Sequence, residues 1–567
     1  MSRKRIAALL AASACLIVAC GKDESASPDT PLAFAPADTP YLYANLDPLP
    51  VATAEQWTKP LQDYWPTMAT MYSAMLESAK LGLDEPQRRI ATALLDEFRT
   101  HANWDQLRAI GLKPDARMAV YAVGIVPVLR LELGNPAAFK AEVARVEKTA
   151  GSSMPVAKVG SQEYWQIGND SLAAAIAVQG SHLVITVLPP KGSDALKRAL
   201  LGIDRPARSG AAVAALEAVT KQYSYARFGA GYFDFVNLVE RVSKPLAGSD
   251  AEFAQAVGLP VLATDEGCRR EYVEIAHKFP RAVIGAQELT AQRMRIATQL
   301  EIEPALAQRI ATAFGAAPGT GEPAQGAVEM SIAVPILRLK DFWVGQADAV
   351  AAKPYTCEKL RWLNEGFAGS KAKVDVTIPP PVSDLTGVRV TISQFAMPAG
   401  STLPDVAGKL LIGSTNPMAA LGMAQLAIPA LQKIKLAADG KPVALPPDLL
   451  PMKTPPMSVA MSDKAIAIAT GADQIATLSA FLAAPPAPTP VFLRMHFSGV
   501  VYGWLARNFE SMKANMPAEN QKQFDQQIKL FGLYEKWLRS NDFTLTAAPT
   551  GIVMQQTIEL NTPTVSQ

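Results

Sequence analysis

Leu131-Glu132-Leu133-Gly134-Asn135-Pro136 decides how this chain is parsed, because its form returns at Leu411-Ile412-Gly413-Ser414-Thr415-Asn416-Pro417. In both, an apolar strand end runs into Asn at an N-cap position and Pro at the first helical position. The orphan amides are thereby capped and φ is preset for a helix. Further matches lie on either side. Tyr41 to Leu49 and Val328 to Ile336 are alternating strands that end in proline. Ala173 to Val178 and Leu183 to Leu188 form a hairpin leading to a helix from Ser193 to Leu201. Pro456 to Met461 and Ala465 to Thr470 do the same before a helix from Asp473 to Leu482. Tyr225 to Phe228 leads into a helix at Phe235 to Val242, as Phe492 to Met495 leads into Val501 to Phe509. The closing hairpins are Val283 to Leu289 with Arg293 to Ile302, and Phe543 to Ala547 with Ile552 to Leu560.

Short apolar strands resemble one another by chance, but chance would not preserve their order. The expectation is a tandem duplication, with modules at 37–314 and 327–562, a Gly/Pro/Ala linker at 315–326 and a tail at 563–567. Strands mostly follow strands through tight turns, without strict βαβ alternation. That pattern predicts an α+β fold in which each module is a mainly antiparallel sheet with helices packed on it. Trp57 to Arg99 reads as helical, since Met68, Met71, Tyr72, Met75 and Leu76 recur at three and four.

The helices after the two Asn-Pro caps differ. Pro136 to Gly151 carries Lys140, Glu142, Arg145, Glu147 and Lys148, whereas Pro417 to Leu431 carries no charge. A helix apolar all round is expected to be buried. The alternative is that Met418, Leu421, Met423, Leu426, Ile428 and Leu431 line an apolar groove for a lipid or a partner helix, a setting that suits methionine.

The N-terminus has a different character. Arg3-Lys4-Arg5 precedes an apolar run from Ile6 to Ala19, too short to span a bilayer, and the run stops at Cys20-Gly21. Ile17-Val18-Ala19-Cys20 resembles the lipobox of bacterial lipoproteins, with Val18 bulkier than the usual occupant. The resemblance covers residues 3–21 and implies that 1–19 is a signal peptide and that Cys20 becomes the acylated first residue. It implies anchoring to the membrane through that N-terminal lipid. Two or more acyl chains hold a protein stably where one does not. Gly21 in place of Asp implies outer-membrane sorting, and the body is expected to face the periplasm. Residues 20–36 read as a flexible tether with too little apolar content to pack.

The 567 residues carry a net charge of +2, and the signal holds three positives, which leaves about −1. No basic field favours nucleic acid. Once Cys20 is acylated, Cys268 and Cys357 are an even pair in an oxidising compartment, where a disulfide is the default. Two unrelated buried thiols are the other reading. A bond closing an ~90-residue loop would contribute roughly 4–5 kcal/mol in the chain-entropy model and staple the two modules together.

Catalytic signatures are missing from the sequence. There is no Gly-x-Ser-x-Gly elbow, no His-Glu-x-x-His and no phosphate loop. Ser370-Lys371-Ala372-Lys373 fits Ser-x-x-Lys but lacks the companion motifs. His101, His182, His277 and His496 show no metal-ligand spacing. No cofactor, metal or catalytic residue is assigned. The reading is a non-enzymatic envelope lipoprotein that binds a protein partner or an apolar ligand. A hydrolase acting on envelope material, with a site assembled only in space, is the alternative.

Overall fold

The computed structural model describes residues 29–78, 84–101, 103–259, 265–396, 405–446, 455–513 and 517–561. Cys20 and the signal lie outside these, as do the side chains of Met71, Tyr72, Met75 and Leu76. The chain divides into two compact units, Met1–Ile296 and Ala297–Gln567. The expected linker at 315–326 falls inside the second unit.

In the first unit the strands are β1 (Tyr41–Ala44), β2 (Met118–Val123), β3 (Val126–Glu132), β4 (Val156–Val159), β5 (Gln162–Gly168), β6 (Ala173–Gln179), β7 (His182–Leu188), β8 (Ala230–Asp234) and β9 (Arg281–Leu289). All neighbours pair antiparallel, in the order β4-β5-β6-β7-β3-β2-β1-β8-β9. Strand β10 (Arg293–Glu301) straddles the boundary between the units. The second unit contributes β11 (Val328–Ala333), β12 (Leu385–Ala396), β13 (Asp405–Ser414), β14 (Val443–Ala444), β15 (Met457–Met461), β16 (Ala465–Thr470), β17 (Val491–Ser498), β18 (Leu538–Ala548) and β19 (Gly551–Leu560). Its order is β14-β15-β16-β13-β12-β11-β17-β18-β19, again antiparallel throughout. From β6 to β9 and from β15 to β18, the two units have the same strands in the same order.

Local chemistry explains where the helices begin. The Asn135 side chain accepts from the amides of Ala137 and Ala138, and Gly151 ends that helix at φ 60. The Asn416 side chain accepts from the Ala419 amide, and the helix runs Pro417–Ala427 before a 3-10 turn at Pro429–Lys433. Asp84 caps Glu85–Thr100 through the amide of Gln87. The expected helix from Trp57 to Arg99 is two helices, Val51–Ser78 and Glu85–Thr100.

Three expectations need correction. The segment Tyr225–Phe228 is not a strand; the strand before the helix Phe235–Val242 is β8. Ser224 adopts φ 54, and the carbonyl of Arg227 accepts from the amides of Leu46 and Asp47, so the chain turns there. The tether is packed over its last part. Pro31–Phe34 is a 3-10 turn, and Leu32, Phe34 and Ala35 are buried. Phe34 there packs against the buried guanidinium of Arg130. The 315–326 stretch, too, is held against its sheet: the Ala317 amide donates to Val491 O, and Ser331 Oγ donates to Pro318 O at 2.6 Å.

Candidate functional site

In a half-buried strand, alternation normally sends apolar residues inward and charges outward. In the second unit this is reversed. Glu329 and Arg389 are fully buried, and Arg494 and Lys409 nearly so. Register places these four on one face, since Glu329 pairs with Thr391 and His496, Ser331 with Arg389 and Arg494, and Thr391 with Lys409. The same face carries Ser331, Thr391, His496, Leu411, Ala465, Ala467 and Ala469, and Leu478, Phe481 and Leu482 cover part of it in one core with Ala460, Ala467 and Leu411.

The buried charges are tied to one another and to backbone. Glu329 accepts from both Arg494 and Arg389, the latter at 3.0 Å, and from the Gln325 amide at 2.9 Å. Arg494 also donates to the carbonyls of Gly319, Thr320 and Glu322 at 3.0, 3.1 and 2.7 Å. The Arg389 guanidinium lies 4.4 Å from the Phe481 ring centre, a desolvated cation–π contact. Lys409 donates to Thr477 and Gln325, and burial followed by the Arg389 charge pulls its ammonium below the usual lysine range. Pairing and hydrogen bonding of this kind offset the cost of burying ions, although Arg389 Nε and Nη1 and Arg494 Nε have no hydrogen-bond partner among the described residues. These interactions fasten 315–326 across the sheet.

The first unit uses different residues for a similar device. Arg130 is fully buried, donates to Leu201 O at 2.8 Å and to Gln179, and lies 3.5 Å from the Phe34 ring centre. His182 meets Arg130 at 3.2 Å through Nδ1 and is 1% exposed. Burial, then the neighbouring guanidinium, pushes its pKa down to about 4, so the ring is neutral at pH 7. The signal for these residues was present in the sequence. Each charge stands between apolar neighbours, as in Leu129-Arg130-Leu131 and Val388-Arg389-Val390.

The opposite face of the second sheet holds Met330, Ile332, Val388, Val390, Leu410, Ile412, Leu493, Met495 and Phe543. Met330 is 41% exposed and the others are half-buried. Through the paired stretches of β11, β12, β13, β16 and β17 that face carries no charged side chain. At one end, Leu421 and Leu431 pack with Ile434, Leu436, Val459, Met461, Ile466 and Ile468, so the helix Pro417–Ala427 rests on that end of the face. The first unit repeats this with Phe139, Leu131, Ile176 and Ile185.

The expectation that Pro417 to Leu431 is buried all round is overturned. Leu421 and Leu431 turn inward, while Met418 is 56%, Met423 50%, Leu426 76% and Ile428 39% exposed. Only its inner side meets the cluster of Val459, Met461, Ile466 and Ile468, and its outer side is left to solvent. The six residues named from sequence therefore divide, two against the sheet and four in solvent.

Other candidates resolve into structure. Cys268 and Cys357 are buried and both disulfide-bonded. Ser370 and Lys373 of the Ser-x-x-Lys match lie on the helix Arg361–Val374, where Lys373 is exposed, and Lys371 between them pairs with Asp348 at 2.5 Å. Glu97, His101 and Glu142 bring ligand atoms within 4.8 Å of one another, but Arg145 bridges both carboxylates and supplies the positive charge there. His496 Nδ1 lies 2.7 Å from Asp542. Among the described residues no helix is long and apolar enough to cross a membrane. No family model matches the chain, and neither a curated protein nor a solved structure shows detectable similarity to it.

Proposed function

We propose that this is a lipoprotein of the bacterial envelope, held at the periplasmic side of the outer membrane by acyl chains on Cys20. Its role on this reading is to bind an apolar ligand, not to catalyse a reaction. The observation that carries the binding role is the uncharged, half-exposed face of β11, β12, β13 and β17, which leaves a broad apolar surface in contact with solvent. Surfaces of this kind mark binding sites more often than they mark idle surface. A ligand with one or more acyl chains fits, because the face offers branched aliphatic and methionine side chains with no hydrogen-bonding group to satisfy. The body is read as a tandem duplication, supported by the shared strand order and the matching Asn-Pro helix starts.

The test is lipid extraction and native mass spectrometry of the protein purified from its envelope. A stoichiometric acyl-bearing ligand is expected, and it should be lost in Met330→Glu, a position exposed enough to accept the charge without unfolding. A protein that emerges empty and takes up no fatty acid or phospholipid would sink the reading. The hydrolase reading has one observation in its favour. Asp542 orients His496 through Nδ1, as a general base requires, and Ser498 Oγ lies two positions along the same strand, buried and without a hydrogen-bond partner. Ester turnover abolished by Ser498→Ala would support it.

A further inference from the structure

We propose that the outer side of the helix Pro417–Ala427, with the turn that follows, is a second membrane contact lying in the headgroup and acyl boundary of an anionic bilayer. The inference rests on the anchored-lipoprotein reading and adds where the body touches the surface to which it is tied. Met418, Met423, Leu426 and Ile428 all face solvent. The stretch from Asn416 to Ala438 contains no acid, and its charges are Lys433 and Lys435, both exposed and neither in an ion pair among the described residues. Lys441 follows, exposed as well, beside Asp439. An uncharged apolar face followed by exposed lysines is complementary to acyl chains bordered by phosphates.

The first unit shows that the fold does not demand such a surface. The helix Pro136–Ala150 follows the equivalent strand and begins with the same Asn-Pro cap. Counted from that cap, Glu142 and Arg145 stand where the second helix has Met423 and Leu426. Glu142 and Arg145 form an ion-paired rim with Glu97, while Val143 and Val146 pack on Ile90 and Ala93 of the helix Glu85–Thr100. One copy of the position is thus covered by its own chain and charged at its edge. The other is bare and apolar. A tether at Cys20 keeps a bilayer at high effective concentration, so even a weak contact of this sort is occupied.

The test uses the full chain with its lipid, on vesicles of phosphatidylethanolamine and phosphatidylglycerol. With Cys20 acylated and Cys268 and Cys357 bonded, Leu426→Cys supplies a single free thiol for an environment-sensitive fluorophore. Blue-shifted emission and at least twofold quenching by nitroxide-labelled lipids are expected. The quenching should fall by more than half in the Lys433→Gln/Lys435→Gln variant and on vesicles of phosphatidylcholine alone. If the chain floats with the vesicles but the label stays unquenched, the contact is wrong and the anchor stands. If the chain does not float, the anchor reading fails and takes the contact with it. A blue shift without vesicles that grows with protein concentration assigns the face to a second copy. One that is independent of concentration assigns it to a shielding segment of the same chain. Either result overturns the proposal.

Discussion

Glu329 is the carboxylate on which the buried charges of the second unit depend, and Glu329→Gln isolates its contribution. The substitution keeps the shape of the side chain and removes its charge. Arg389 and Arg494 would then face a neutral amide, with Lys409 close by and no other carboxylate in contact with them among the described residues. Breaking a buried pair by removing one partner costs about 3–5 kcal/mol, and this residue serves two guanidinium groups, so the upper part of that range is expected. With a urea dependence of about 3 kcal/mol per molar, the midpoint for this unit should drop by roughly 1.3–1.7 M. Two compact units need not unfold together, so a global signal could blend them. Hydrogen exchange read by mass spectrometry separates them. Peptides from β11, β12 and β17 should lose protection, while those from β2, β3 and β7 keep it. The double variant Glu329→Gln/Arg389→Met should recover part of the loss, because it removes one of the stranded cations. A midpoint shift below about 0.3 M, or strict additivity in the double variant, would refute the claim that these charges stabilise only as a set.

Other outcomes follow from the same geometry. His182 has a folded pKa of about 4 against 6.5 when unfolded. Its contribution is therefore complete above pH 6.5 and is lost as pH falls toward 4, by about 3 kcal/mol in all, and His182→Gln should flatten that slope in pH-dependent unfolding of the first unit. Gly319 has φ +68, and a Cβ there would lie 2.2 Å from Arg389 Nη1. Gly319→Ala should therefore lower the melting temperature, at a cost of roughly 1–3 kcal/mol, and an unchanged melt would show that the Arg389 site is loose. Non-reducing digestion and mass spectrometry should show the Cys268 peptide linked to the Cys357 peptide. Free thiols at either position would remove the staple.

Much of the fold was legible because its punctuation is local. Asn-Pro starts a helix by capping and by fixed φ, and a glycine or serine turn between alternating runs closes a hairpin. Both signals survive without knowledge of the partner strands. Order along the chain then carried information that no single element did. The errors share a cause, which is that contacts remote in sequence overrode local composition. Residues 20–36 as a whole look too polar to pack, yet their apolar end at 31–35 is buried, with Phe34 against Arg130 nearly a hundred positions away. Residues 315–326 look like a linker until Arg494 gathers their carbonyls. Tyr225–Phe228 looks like a strand until Arg227 is held by Asp47. The candidate site was half visible. The missing charge in the helix at 417 was plain, but composition cannot say which way a short helix faces, and the broad sheet face was hidden by assuming that alternation puts oil inside.

That inversion reshapes how the sequence can change. Along β11, β12 and β17 the aliphatic positions look outward, so exchanging valine for threonine there alters the character of that face more than whether the chain folds. The charged positions behave like a keystone course: lysine for Arg389 or aspartate for Glu329 strands a neighbour in a dry interior. Drift among descendants of such a chain would therefore leave its ions fixed and its hydrocarbon side free to wander, the reverse of an ordinary globular sheet.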